Sequence, residues 1–142
     1  MSGNWFVGVP IHEATWFDER FEPPAPDLWR VNPHDLHMTV AFLGPVRERQ
    51  AREAFARASL WTQGPFSVSL GEVIALGNPR KYSALCALFS EGNARAVQFI
   101  ETLRTPMLEA ARVAPDSREI LPHITVMRPK RRAPRPQRQA GL

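Results

Sequence analysis

The sequence has little of what disulfide-rich or membrane proteins need. Its 142 residues include one cysteine, Cys86, which excludes an internal disulfide and lies in an apolar stretch, so we expect a buried, reduced thiol. No apolar run approaches the roughly 20 residues of a membrane span, and the first ten residues lack the basic-then-apolar pattern of a signal peptide. These absences predict a soluble, cytoplasmic protein without a membrane partner.

Acidic residues are absent from residues 128–142, which hold six of the eighteen basic residues. The rest of the chain has twelve basic against fourteen acidic residues, so the net charge of +4 comes from this end. Its three prolines disfavour a helix, and its polarity leaves it little to bury. We predict one domain over residues 1–128 and a disordered, Pro/Arg-rich tail over 129–142. The tail is either an arm that contacts RNA phosphates or a solubilising end.

Strand and helix patterns alternate along the chain. Apolar residues at three- and four-residue spacing predict one helix after Pro45 and another after Ser90, the second kinked or split at Pro106. Stretches rich in β-branched and aromatic residues predict strands at 4–11, 36–42, 66–76, 82–89 and 121–127. This order predicts an α+β fold.

Two of these strands carry the same motif, His37-Met38-Thr39-Val40 and His123-Ile124-Thr125-Val126. Residues i and i+2 of a strand share a face about 7 Å apart, so each copy presents an imidazole beside a hydroxyl while the apolar residues face the core. Six threonines in the chain make a threonine two places after a given histidine roughly a 4% event. Two such hits among four histidines are therefore unusual enough to indicate a site.

Two histidines that face one site suit phosphoryl transfer without a metal. One neutral imidazole can take a proton from the attacking oxygen while the other, protonated, gives one to the leaving oxygen. The hydroxyls of Thr39 and Thr125 can donate to the phosphate oxygens. The pair His34 and His37 could suggest a metal site, but a third ligand is missing. We therefore predict no metal and no cofactor.

The motifs resemble those of the 2H phosphoesterases, in particular the RNA 2′,3′-cyclic phosphodiesterase or 2′-5′ RNA ligase-like (LigT-like) branch. The resemblance rests on Leu36–Gly44 and Pro122–Arg128, with further similarity at Trp5–Val9 and Trp29–Pro33, and it covers most of residues 4–128. It implies two pseudo-symmetric lobes of antiparallel sheet, with outer helices, around a central cleft lined by the motif strands.

The resemblance also implies an activity, the metal-independent hydrolysis of a 2′,3′-cyclic phosphate at an RNA or nucleotide end to a 2′-phosphomonoester. His37 would be the acid to the 3′ oxygen and His123 the base to water, although the near-symmetry of the motifs leaves the reverse assignment open. We expect a monomer whose partner is the RNA or nucleotide. Alternatives are 2′-5′ RNA ligase activity at the same site, a non-catalytic nucleotide- or RNA-binding module, and RNA binding through the basic tail.

Arg128 matches the arginine that closes the second motif in this family, where it could bind a substrate phosphate. Strict alternation along the strand, however, places Arg128 on the face opposite His123. It can reach the site only if the strand bulges or ends there. The same alternation sets Phe42 on the face of Met38 and Val40, away from His37.

Overall fold

The fold is α+β in a computed structural model that describes residues 3–13, 15–20, 27–78, 81–130 and 137–141. Seven strands, three α-helices and two 3₁₀ turns follow one another within these ranges. The strands are β1 (Asn4–Pro10), β2 (Leu28–Arg30), β3 (His37–Gly44), β4 (Ser69–Asn78), β5 (Lys81–Glu91), β6 (His123–Pro129) and β7 (Gln137–Gly141). The helices are α1 (Thr15–Arg20), α2 (Glu48–Phe55) and α3 (Asn93–Ala110), and the 3₁₀ turns are Pro33–Asp35 and Ala56–Leu60.

The strands form a sheet in the order β4-β5-β6-β3-β1-β7, with β2 also paired to β6. All pairings are antiparallel except that of β1 with β7, which is parallel. β3 and β6 join at the pair Met38 and Ile124, so β3, β1 and β7 form one group of strands and the other four form a second. The predicted α+β class and its two strand lobes are confirmed.

The core lies between one face of the sheet and the helices. α3 contributes Ala96, Ile100, Leu103 and Met107, whose spacing of three or four residues makes one buried stripe. α2 contributes Ala51 and Ala54, while Met38, Val40, Ile124 and Val126 face these helices from the central strands. Among the described helices none is long and apolar enough to span a membrane.

Two elements differ from the sequence-based prediction. α3 runs unbroken from Asn93 to Ala110 with Pro106 inside it, so the predicted split at that residue is wrong. For residues 12–33 the irregular, proline-containing sequence predicts an ordered loop or a broken helical turn, whereas the structure has the helix α1 and the strand β2 there. The prolines of this stretch, Pro23, Pro24 and Pro26, lie outside the described residues.

The C-terminal end also differs from the prediction. Residues 129–142 were expected to be disordered, yet Pro129 ends β6 and Gln137–Gly141 form β7, which pairs with β1 from Asn4 to Gly8. The prediction is wrong for these residues because β7 depends on the exposed edge of β1, which local composition does not reveal. Residues 131–136, which hold three arginines and two prolines of the tail, lie outside the described ranges.

Candidate active site

The two motif strands meet where Met38 pairs with Ile124. Both side chains are buried in the core. β3 and β6 run in opposite directions past this pair. His37 therefore lies toward Thr125, and Thr39 lies toward His123. All four of these side chains are half-buried on the face of the sheet away from the helices. The structure thus brings the four predicted residues together on one surface.

Each motif histidine is held in the same way. The Nδ1 of His37 lies 2.7 Å from the carbonyl oxygen of Asp35, and that of His123 lies 2.5 Å from the carbonyl oxygen of Leu121. A carbonyl oxygen can only accept, so Nδ1 carries the proton in both rings. The Nε2 atoms are left without a protein partner in the described ranges, and each can take or give the proton of a substrate.

His37 packs against β1. Its ring stacks on that of Phe6, with centroids 4.4 Å apart and planes 24° from parallel. Gly8 leaves the space for this ring, because a Cβ there would lie 3.3 Å from Cδ2 of His37, 3.0 Å from Phe6 and 3.1 Å from the carbonyl oxygen of Met38. Glycine inside a strand often marks such a close approach, so Gly8 had a sequence signal that the prediction did not use.

The surroundings of His37 favour its neutral form. Burial lowers the pKa of this imidazole below its usual 6.5 most strongly, and the positive charges of Arg128 and His123 lower it further. The hydrogen bond to the carbonyl of Asp35 and the charge of that carboxylate act in the opposite direction. The net shift is downward, so His37 loses its proton more readily than a free imidazole.

The hydroxyl of Thr125 contacts the buried thiol of Cys86, whose Sγ lies 3.6 Å from Oγ1. Burial raises the pKa of this thiol, so it stays protonated and can donate to Oγ1, which leaves the threonine O–H available to donate to a substrate on this face. Cys86 is buried and free, as predicted. Its position opposite Thr125, in the pairing of β5 with β6, was not predicted.

A β-bulge in β6 brings Arg128 to the histidine face. Cys86 pairs with Thr125 and the preceding Leu85 pairs with Met127, so Val126 has no opposite residue. Val126 and Met127 are consequently both buried, and the next side chain, Arg128, turns to the face of Thr125. The condition set by the sequence, that Arg128 reaches the site only where the strand bulges, is met. Within the described ranges no hydrogen bond or ion pair holds its guanidinium.

β3 carries the matching irregularity. Thr39 pairs with Gly8 and Ala41 with Val7, which leaves Val40 without an opposite residue. Val40 and Ala41 are both buried, and Phe42 is 43% exposed. The prediction that Phe42 faces the core with Met38 and Val40 is therefore wrong, since the bulge reverses the alternation after Thr39.

No group of three or more His, Cys, Asp or Glu side chains in the described part of the chain could hold a metal ion. His34 lies exposed on the 3₁₀ turn Pro33–Asp35, where its backbone N–H donates to the side chain of Asn32. This hydrogen bond does not involve His37 or His123. The structure therefore does not combine His34 and His37 into one site.

Solved structures of other proteins share this fold. TT0787 of Thermus thermophilus is 27% identical, with a TM-score of 0.69 over 92% of this chain and 76% of that chain. E. coli LigT complexed with 3′-AMP is 20% identical, with a TM-score of 0.68 over 95% of this chain and 79% of that one. A phosphoesterase is 19% identical, with a TM-score of 0.69 over 96% and 80%. No protein-family model and no curated protein sequence matches the chain.

These likenesses extend over nearly the whole chain and over more than three quarters of each compared structure. The chain therefore has the LigT-like fold of the 2H phosphoesterases. The resemblance first read from the two motifs is confirmed at this level.

Proposed function

We propose that the protein is a phosphoesterase that opens a 2′,3′-cyclic phosphate at an RNA or nucleotide end and releases the 2′-phosphomonoester. The observation that carries this proposal is the pair of imidazoles on one sheet face, each with Nδ1 bonded to a backbone carbonyl, which leaves Nε2 available for proton transfer. Such a pair supplies one base and one acid without a metal. Both motifs lie on one chain, so a monomer is sufficient.

The reaction is an in-line displacement at phosphorus. The neutral imidazole takes a proton from water as the water oxygen bonds to phosphorus, and the bond from phosphorus to the 3′ oxygen breaks. The protonated imidazole gives its proton to that 3′ oxygen, which leaves as a hydroxyl. The phosphate stays on the 2′ oxygen, and the two histidines have exchanged protonation states, which solvent restores.

Three further groups stabilise the charge that develops on the phosphate. The hydroxyls of Thr39 and Thr125 are placed to donate to its non-bridging oxygens. The guanidinium of Arg128, whose charge already acts on His37, supplies a cation on the same face. E. coli LigT has been solved with 3′-AMP and with phosphate, and these ligands support nucleotide phosphates as the substrate class here.

The test is incubation with an oligonucleotide that ends in a 2′,3′-cyclic phosphate, followed by identification of the product isomer. We expect the 2′-phosphate, at an unchanged rate in excess EDTA. Formation of the 3′-phosphate would refute the assignment of the leaving oxygen. Loss of turnover with chelator and rescue by zinc or manganese would refute the two-histidine mechanism.

The reverse reaction provides a second arm of this experiment. If a 5′-hydroxyl oligonucleotide replaces water as the nucleophile, the same acid and base would join the two ends through a 2′-5′ bond. Adding that oligonucleotide and looking for a longer product measures ligase activity directly. A protein that binds the cyclic end but forms neither product would be a binding module.

A further inference from the structure

Trp29 lies on the same sheet face as the two motif histidines. It pairs with Arg128 across β2 and β6, and directly opposite residues of antiparallel strands share a face. Its neighbours Leu28 and Arg30 point the other way, since Leu28 is buried in the core and the guanidinium of Arg30 lies 4.5 Å from the ring centre of the buried Phe17. Trp29 is thus the aromatic neighbour of the cation that acts on His37.

The indole of Trp29 is exposed, although Trp29 is the central residue of the paired strand β2. It is 43% exposed, and in the described part of the chain its ring stacks on no other aromatic residue and its N–H meets no acceptor. Opposite residues in an antiparallel pair have Cβ atoms about 5 Å apart, so the ring stands immediately beside the side chain of Arg128. Proteins bind nucleotides with this combination of side chains. The base stacks on the aromatic ring, and the cation contacts the phosphate.

We infer that Trp29 and Arg128 form a nucleotide subsite in which the base stacks on the indole. This rests on the proposed function only for the position of the reacting phosphate, which we place between the Nε2 atoms of His37 and His123. The subsite makes the substrate a nucleoside phosphate and discriminates against cyclic phosphates that have no base. Stacking on an aromatic side chain tolerates any base, so the subsite selects nucleotides without selecting a sequence.

The matched control for Trp29 is Phe42. Both rings are 43% exposed, both lie on the histidine face, and Phe42 stands at the opposite end of the motif pair, where β3 pairs with β1. Replacing either by leucine removes a ring and keeps an apolar side chain on a strand. Thermal unfolding and circular dichroism of both variants establish that the fold is intact.

The experiment measures binding of adenosine 3′-monophosphate and of inorganic phosphate by calorimetry. Trp29→Leu should weaken the nucleotide on the order of 10-fold and leave phosphate within about 2-fold, because only the base is lost from the ring. Trp29→Phe should restore most of the affinity. Unchanged nucleotide binding, or an equal loss for phosphate, would overturn the subsite, as would a loss confined to Phe42→Leu.

Turnover of adenosine 2′,3′-cyclic monophosphate separates this inference from the proposed function. The Trp29→Leu enzyme should show a raised KM and a nearly unchanged kcat. Nucleotide binding through Trp29 without any turnover in the wild type would refute the proposed function alone. Turnover with the same KM in both proteins would refute the subsite alone.

Discussion

Val40 and Val126 are equivalent bulged residues, each directly after its motif threonine and each without an opposite residue in its ladder. Both are buried in the same core. The two bulges reverse the alternation of their strands at the same point, so that Phe42 and Arg128, each five positions after its histidine, both turn to the sheet face that carries the histidines. The two strands are therefore alike at the histidines and differ five positions later, where β3 carries the ring of Phe42 and β6 the cation of Arg128.

The proposed catalytic role of the two histidines is tested by substitution. His37→Ala and His123→Ala should each lower kcat on the order of 10²- to 10⁴-fold with a cyclic-phosphate substrate, since each removes one proton transfer from the transition state. The double variant should lose less than the product of the two, because both residues act in one step. His34→Ala is the control, an exposed histidine on a 3₁₀ turn, and should keep full activity. A folded His37→Ala protein with near wild-type kcat would contradict the mechanism.

The histidines and threonines could be predicted because a strand places residues i and i+2 on one face without any knowledge of its partner. Arg128 and Phe42 could not be placed in this way. The bulge at Val126 exists because Thr125 pairs with Cys86 and Met127 with Leu85, residues about forty positions earlier in the chain, so it could not be read from the local sequence. β7 was missed for the same kind of reason, since its pairing partner is β1 at the other end of the chain.

The pH dependence of kcat/KM should reveal His37. The limb due to this residue should lie below pH 6.5 in the wild type, because burial and then the charge of Arg128 lower the pKa of the free enzyme's imidazole. Arg128→Gln removes that charge, so the same limb should move to higher pH while the overall rate falls. A profile that does not move would show that Arg128 does not act on His37.

The limb that moves also assigns the roles. If His37 is the acid, its proton is lost as the pH rises through its pKa, and the alkaline limb moves. If His37 is the base, it becomes active as the pH rises through that pKa, and the acid limb moves. The lowered pKa alone does not decide between these, which is why the Arg128→Gln comparison is needed.

The two threonine hydroxyls should contribute through the transition state. Thr39→Val and Thr125→Val keep a β-branched side chain on each strand and remove one donor, so each should lower kcat about 10- to 100-fold with a smaller change in KM. Thr102→Val is the control, because that hydroxyl donates to the carbonyl of Gln98 within α3, away from the motif strands. Equal loss in kcat for Thr102→Val would indicate a general effect on stability.

Gly8 should be required for the position of His37. A methyl group at Gly8 would lie 3.0 Å from the ring of Phe6, 3.1 Å from the carbonyl oxygen of Met38 and 3.3 Å from the ring of His37, so these groups must shift to admit it. Gly8→Ala should therefore cost about 1–3 kcal/mol of stability and lower kcat by about 10-fold or more. Gly71→Ala meets the backbone of Ser90 just as closely, but it lies on β4, which β5 separates from the motif strand β6, and it should destabilise without lowering kcat. If both variants keep kcat, the fit of Gly8 to His37 has no catalytic consequence.

Removal of residues 131–142 should damage the fold as well as any contact with RNA. It takes away β7 and exposes the edge of β1, the strand that holds Phe6 and Gly8 against His37. We expect a loss of about 1–3 kcal/mol from the missing strand hydrogen bonds, seen as a lower Tm, and a lower kcat even with a small cyclic nucleotide.

The control is a full-length protein with Arg131→Gln and Arg132→Gln, which loses two charges and retains β7. Its hydrolysis of the small substrate should be unchanged, while any binding to longer RNA should weaken and become less dependent on salt. If the truncated protein matched the wild type in Tm and in small-substrate turnover, β7 would be dispensable and the tail would act only on RNA.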